Sequence, residues 1–146
     1  EFDGVILAAA ALIRLGWETK ITEYLPVDYF VPAVGQGALG IEIRSEDKEI
    51  ATLVSSLNHK PTWRSVIAER TFLQTLGGGC HTPLTAFGTV AGSTLKLIGM
   101  VANDSGNRIL RCSEEGSALA PEYVGTRLAQ RMIDMGASQI MEVKAG

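Results

Sequence analysis

Two turn signals in the last third of the chain, Ala91-Gly92-Ser93 and Asn103-Asp104-Ser105-Gly106-Asn107, constrain its fold more than any other feature. They separate the β-rich runs Thr85 to Val90, Thr94 to Val101 and Arg108 to Ser113. Links this short join antiparallel neighbours, so the runs predict a three-stranded antiparallel sheet. Such a sheet needs helices against one face, and the flanking sequence supplies them. Pro61 suits a first helical turn, and Trp63, Val66, Ile67, Leu73 and Leu76 share one helical stripe before Gly77-Gly78-Gly79 ends it. Arg70 lies on the same stripe, either snorkelling from its edge or fixing the helix's docking through an ion pair. A last helix from Pro121 to Met135 presents Val124, Leu128, Met132 and Met135 and stops at Gly136, with a short strand expected around Ile140 to Val143. Residues 61–146 therefore read as a self-contained α+β domain.

Residues 1–58 read differently. Val5-Ile6-Leu7-Ala8 is a short apolar run that feeds, through alanines, a helix closed near Arg14-Leu15-Gly16. A strand apolar on both faces needs neighbours on both sides, and none is encoded before it, so the chain is expected to be the later part of something larger. After a loop bracketed by Pro26 and Pro32, Val34-Gly35-Gln36-Gly37-Ala38 leads into a strand pattern through Ile41-Glu42-Ile43-Arg44. Ser45 to Asn58 reads as a helix with Ser45 as its N-cap and Ile50, Leu53, Val54 and Leu57 at helical spacing, and His59-Lys60-Pro61 as a hinge. This incomplete α/β segment should expose apolar strand surface, and the isolated chain is expected to self-associate through it.

The composition excludes several function classes. Thirteen Lys and Arg against sixteen Asp and Glu give a net charge of -3, with no bulk positive field for nucleic acid or anionic membrane. The longest apolar stretch, Val5 to Ile13, is broken at Arg14 and too short to span a bilayer, and no charged leader precedes it; the expectation is a cytoplasmic protein. The two cysteines and two histidines lack metal-ligand spacing, so no metal site is expected.

Cys80 is the residue of greatest chemical interest. Three glycines before it give an open, reachable setting for a thiol, and the alternative is a small hydrophobe filling the helix-to-strand corner. Cys112, inside a strand run, reads as structural. A Cys80-His81 nucleophile pair is a further reading, weakened because adjacent side chains point apart and no third group orients the imidazole. Asn58-His59 reads as a surface cap at a helix C-terminus. Arg14 is either an ordinary solvated helix end or a guanidinium placed to grip a carboxylate through two hydrogen bonds. Gly35 and Gly37 around Gln36 offer close backbone approach to a ligand or simply a bend.

Taken in order, Phe2-Asp3-Gly4-Val5-Ile6-Leu7-Ala8, Arg14-Leu15-Gly16, Leu25-Pro26, Pro32 to Ala38, Ile41 to Arg44, Leu57-Asn58-His59, Ala68-Glu69-Arg70 and Gly78-Gly79-Cys80 with Pro83 resemble the second half of porphobilinogen deaminase, also called hydroxymethylbilane synthase. The resemblance covers nearly the whole chain. It implies partial strands and helices of an α/β two-domain core over residues 1–58, the end of the second domain and a returning part of the first. A small α+β domain with a three-stranded antiparallel sheet follows over residues 61–146.

It further implies that Cys80 carries a dipyrromethane cofactor through a thioether, on which four porphobilinogen units are joined head to tail with loss of ammonia. Arg14 is implied to bind the acetate and propionate carboxylates of the pyrroles, and Leu7, Ala8, Gln36 and Gly37 to lie beside cofactor and growing oligopyrrole. Glu69 and Arg70 are implied to act structurally near a domain junction. The family's catalytic aspartate, which balances positive charge developing on a pyrrole nitrogen, is implied to lie upstream, so no catalytic residue is assigned here. The full-length enzyme is then expected to be a monomer, and this piece alone to be inactive. A different class also stays open: a non-catalytic binding module that keeps the C-terminal domain.

Overall fold

The computed structural model describes residues 2–78 and 83–141. Gly79, the last glycine of the run, Cys80 and His81 lie outside the described residues, as does the end of the strand expected at Ile140 to Val143. The chain forms two compact units, Glu1–Phe30 and Val31–Gly146.

In the first unit, α1 (Ala9–Arg14) is followed by a 3-10 turn at Glu18–Lys20. Gly16, at φ 71°, closes α1 as the sequence suggests. The Trp17 N–H donates to Leu12 O at 2.9 Å and the Gly16 N–H to Ile13 O at 3.0 Å, the paired bonds of a Schellman motif. The strand expected at Val5 to Ala8 is not formed, because pairing needs a neighbouring strand and no described strand lies in this unit; Val5, Ile6 and Leu7 are all exposed.

The second unit is built around β1 (Leu84–Ala91), β2 (Thr94–Ala102) and β3 (Ile109–Ser117), an antiparallel sheet in that order. The two-residue link Gly92-Ser93 and the longer turn after Ala102 are the hairpins the sequence signals. In the second, Asn103 holds its own loop together, accepting from the Arg108 N–H at 3.0 Å and donating to Asn107 Oδ1 at 2.7 Å. β3 runs four residues past the expected end at Ser113, since Glu114, buried on the sheet, is held by Arg127 at 3.1 Å and Arg131 at 3.9 Å.

One face of the sheet carries Leu84, Ala86, Gly88 and Val90 from β1, Leu95, Leu97, Gly99 and Val101 from β2, and Leu110, Cys112, Glu114 and Gly116 from β3, as the register and period-two alternation require. Two helices cover it, α3 (Lys60–Thr75) and α4 (Pro121–Asp134). Their contact with the sheet is close because glycines lie beneath them. A Cβ on Gly88 would sit 3.1 Å from Ser65 Cα, one on Gly99 2.7 Å from Phe72 Cζ, and one on Gly116 2.7 Å from Val124 Cγ2. The helices meet as closely: a Cβ on Gly125 of α4 would strike the Ala68 carbonyl and lie 3.1 Å from the Phe72 N of α3.

This packing rotates α3 away from the expected face without reversing it: Leu76 packs against the core, and Val66, Ile67 and Leu73 are half-buried. The buried stripe is Ser65, Ala68, Glu69 and Phe72, small residues apart from one acid and one ring, while Trp63 and Arg70 are exposed. Close approach to Gly88 and Gly125 selects small side chains, so the bulkier stripe of Trp63, Val66, Ile67 and Leu73 turns partly outward. On α4, Val124, Leu128 and Met132 are buried as expected, with Met135 half exposed.

Three further elements differ from expectation. Helix α2 is Lys48–Ser55, capped by Asp47, whose Oδ1 accepts from the Ile50 N–H at 3.0 Å; Ser45 stands too early to reach that donor. The alternating run at Ile41 to Arg44 forms no strand, for want of a pairing edge. A short helix α5 (Ala137–Met141) replaces the beginning of the expected last strand, because Ala137 and Ile140, three apart, both enter the core. His59 flanks the start of α3, its Nδ1 2.8 Å from Thr62 Oγ1, and so serves the following helix instead of ending the preceding one.

Candidate functional site

The approach to Cys80 is fixed up to Gly78. Helix α3 ends in a second Schellman motif: the Gly78 N–H donates to Leu73 O at 2.9 Å and the Gly77 N–H to Gln74 O at 3.0 Å, with Gly77 at φ 69°. Gly78 is closely packed instead: a Cβ there would stand 2.5 Å from Leu84 Cδ2 and 2.8 Å from Leu73 Cδ1, so both leucine side chains would have to shift. The first two glycines thus have separate physical tasks, reversal of the chain and close packing beneath the start of β1.

In the first unit, Ala8 is the residue before α1 and Arg14 its last residue, about 9 Å apart along the helix axis at the usual rise. The Arg14 guanidinium is exposed and stands where a helix favours a cation. Leu7 is exposed and Ala8 half-buried. In the second unit, Val34 to Gly37 make consecutive turns, with the Gln36 N–H donating to Ala33 O at 2.9 Å and the Ala38 N–H to Gly35 O at 3.1 Å. Gly35 at φ 74° and Gly37 at φ 81° supply left-handed backbone on both sides of an exposed Gln36.

The side chain that organises this loop is Glu69. Its Oε2 accepts from the Gly35 N–H at 2.7 Å and its Oε1 from the Gly88 N–H at 2.8 Å, so one carboxylate joins the Val34–Gly37 turns to β1. Glu69 is only 4% exposed, and two short charge-assisted bonds are what make such burial tolerable. Residue-level reading missed this geometry; the available signal was an acid beside the small residues Ser65 and Ala68 on one stripe of the helix.

Burial pushes the Glu69 carboxyl up from the ordinary glutamate range, while the N–H groups of Gly35 and Gly88 and the charge of Arg70 pull the other way. A folded state that holds this proton more tightly than the unfolded chain loses stability as pH rises from the ordinary glutamate range through the raised value. Urea midpoints of wild type and Glu69→Gln, compared from about pH 4 to about pH 8, should diverge at the acid end in favour of the wild type. Parallel profiles would remove the carboxyl from the pH dependence.

Among the described residues no three His, Cys, Asp or Glu side chains converge as a metal site, and no helix is long and apolar enough to cross a membrane. Cys112 is a half-buried free thiol on the helix-covered face of the sheet, opposite Gly99.

Comparison with known proteins is concordant along the chain. Residues 1–52 match the family model described as porphobilinogen deaminase, dipyromethane cofactor binding domain, and residues 63–134 match porphobilinogen deaminase, C-terminal domain. The chain is 46% identical over 142 residues to the porphobilinogen deaminase of Alkaliphilus metalliredigens, covering 97% of this chain and 45% of that protein. It is 44% identical over 142 residues to that of Carboxydothermus hydrogenoformans, covering 97% and 46% respectively. With the porphobilinogen deaminase of Moorella thermoacetica it shares 45% over 149 residues, 99% of this chain and 48% of the relative. The chain thus spans about half the length of the curated relatives it matches. Two models of one family, met in order along the chain, and this level of identity across nearly all of it mean that the chain belongs to the porphobilinogen deaminase family.

Proposed function

We propose that this chain is part of a hydroxymethylbilane synthase, a transferase that joins four porphobilinogen molecules into hydroxymethylbilane with release of ammonia, and that Cys80 holds the dipyrromethane cofactor through a thioether. The observation that carries this reading is the match of residues 1–52 to a cofactor-binding model, in a chain whose glycine turn at Gly77-Gly78 is followed in sequence by Gly79 and Cys80.

The residues present suit such a group. Dipyrromethane carries acetate and propionate carboxylates, and the exposed Arg14 guanidinium has the fork geometry to hold one of them. Leu7, Ala8, Gln36 and Gly37 are assigned beside the cofactor, Gln36 and Gly37 because the glycine turns at Gly35 and Gly37 allow close backbone approach on both sides of the Gln36 side-chain amide. When bound, the group would supply the nucleophilic pyrrole carbon to which the first unit is joined, each later unit being joined to the terminal ring of the growing chain. Within this chain the residues anchor and bind; the carboxylate that steadies developing positive charge is expected in the part of its relatives that the chain does not span. Residues 1–58 are assigned to the α/β segment and 61–146 to the C-terminal domain, and the setting is cytoplasmic. The full-length enzyme is read as a monomer and the 146-residue piece alone as inactive and self-associating, given the exposed Val5, Ile6, Leu7, Leu39 and Leu53.

Intact mass of the purified full-length protein tests the proposal: the expected result is an adduct of dipyrromethane size located on the peptide that contains Cys80, together with hydroxymethylbilane formation from porphobilinogen. The 146-residue piece should form none. An unmodified full-length protein without turnover would leave the non-catalytic module as the correct reading, and turnover by the isolated piece would refute its assigned inactivity.

A further inference from the structure

The sequence families and the packing divide the chain at different places. The cofactor-binding model runs to residue 52, whereas the compact unit that includes the C-terminal domain begins at Val31. The segment between Val31 and Ala38 is therefore assigned to one domain by sequence and packed with another. Its attachments are several and chemically distinct. Val31 is buried, at 5% exposure, and Val34 packs against the core cluster built on the sheet and helices. The Thr85 hydroxyl of β1 donates to the Pro32 carbonyl. Glu69 of α3 takes the Gly35 N–H and the Gly88 N–H with its two oxygens.

These contacts differ in kind. Apolar burial of Val31 and Val34 holds the segment near the unit but is non-directional. The carboxylate fixes orientation, because both oxygens are engaged by backbone groups that have no side-chain freedom of their own. Gly35 directly precedes Gln36 and Gly37, so the bond made by Oε2 sets where those two residues stand. Arg70, the neighbouring cation, is exposed.

We propose that Val31–Ala38 is a strap of the unit that bears Cys80, and that Glu69 is the positioning residue that latches it, so that Gln36 and Gly37 move with the C-terminal domain as the pyrrole chain lengthens. The role given to Gln36, Gly37 and Cys80 rests on the function proposed above; the latch itself does not. Gln36 and Gly37 then belong to the same compact unit as Cys80, whereas Arg14 belongs to the other.

Hydrogen exchange on the 146-residue chain, read by mass spectrometry, isolates the latch. In Glu69→Gln one amide loses its acceptor and faces an NH2 group, and exchange over residues 33–38 should accelerate at least about tenfold, the scale of a lost charge-assisted bond. Peptides from β2 and α4 should keep their wild-type rates. Unchanged exchange over 33–38 overturns the proposal, and so does an equal acceleration everywhere, which would make Glu69 a general stabiliser. Should Glu69→Gln fail to fold, Thr85→Val replaces it: local acceleration at 31–38 supports the strap and its absence overturns it. In the full-length enzyme, Glu69→Gln should raise KM for porphobilinogen about tenfold, with the adduct on Cys80 retained and kcat less affected. An unchanged KM in a loaded enzyme refutes the positioning role. If even wild type carries no adduct, the proposed function fails, and the exchange experiment still decides the latch.

Discussion

Replacing Cys80 by serine in the full-length protein is expected to remove the dipyrromethane-sized adduct completely and to reduce hydroxymethylbilane formation to background. The reason is chemical. A thiol reaches its nucleophilic thiolate form near neutral pH, while an alcohol without an adjacent general base does not. The fold should be indifferent to the change, since α3 is terminated by bonds from Gly77 and Gly78 to Gln74 and Leu73 that involve no atom of Cys80. Intact mass and a urea midpoint on the same preparation check both halves of the expectation. An adduct that survives in the serine variant would move the attachment elsewhere, and Cys112, the other thiol, lies on the helix-covered face of the sheet.

Phe72→Ala should be the most damaging single change in the core, destabilising the unit by about 4 kcal/mol. Phe72 is fully buried, and its ring lies over Gly99, which has no side chain to move into the vacated space. A cavity bordered by a glycine collapses poorly, which places the change toward the upper end of the usual range. The same geometry makes a second, more discriminating forecast. Gly99→Ala alone should destabilise, because its Cβ would stand 2.7 Å from Phe72 Cζ and 3.0 Å from Leu128 Cδ2. In the Phe72→Ala background that methyl has room, so the double variant should be less damaged than the two single effects added together. Strict additivity in the urea-unfolding cycle would show that ring and glycine are not packed against each other as described.

The sheet was legible in the sequence because hairpin signals act locally: Gly92-Ser93 and the Asn103 to Asn107 run fix pairing without reference to anything distant. The end of β3 was not, since Glu114 and Glu115 look like solvent residues until Arg127 and Arg131, on a helix formed later in the chain, are brought against Glu114. Helix α3 shows the commonest failure of periodicity. Hydrophobicity favours the stripe through Trp63 and Ile67, but the sheet and α4 select the stripe whose small residues permit contact at Gly88 and Gly125. The missing strands at Val5 to Ala8 and Ile41 to Arg44 have the right local pattern and no pairing edge, which pattern cannot supply. In the candidate site, motif resemblance drew attention to Glu69, yet its two oxygens reach residues 34 positions before and 19 after it in the chain, a pairing that only the folded chain brings about.

The helix side chains at the sheet's borders have one more effect. Carboxylate oxygen from α3 occupies the Gly88 N–H on β1, and guanidinium from α4 donates to the Ser113 carbonyl on β3 at 3.3 Å. Each outer strand thus has a main-chain group taken by a side chain of the helix layer, an acceptor on one border and a donor on the other. A strand from another copy that paired at Gly88 or at Ser113 would have to displace a charged side chain first, so each border carries a local obstacle to extension of the sheet.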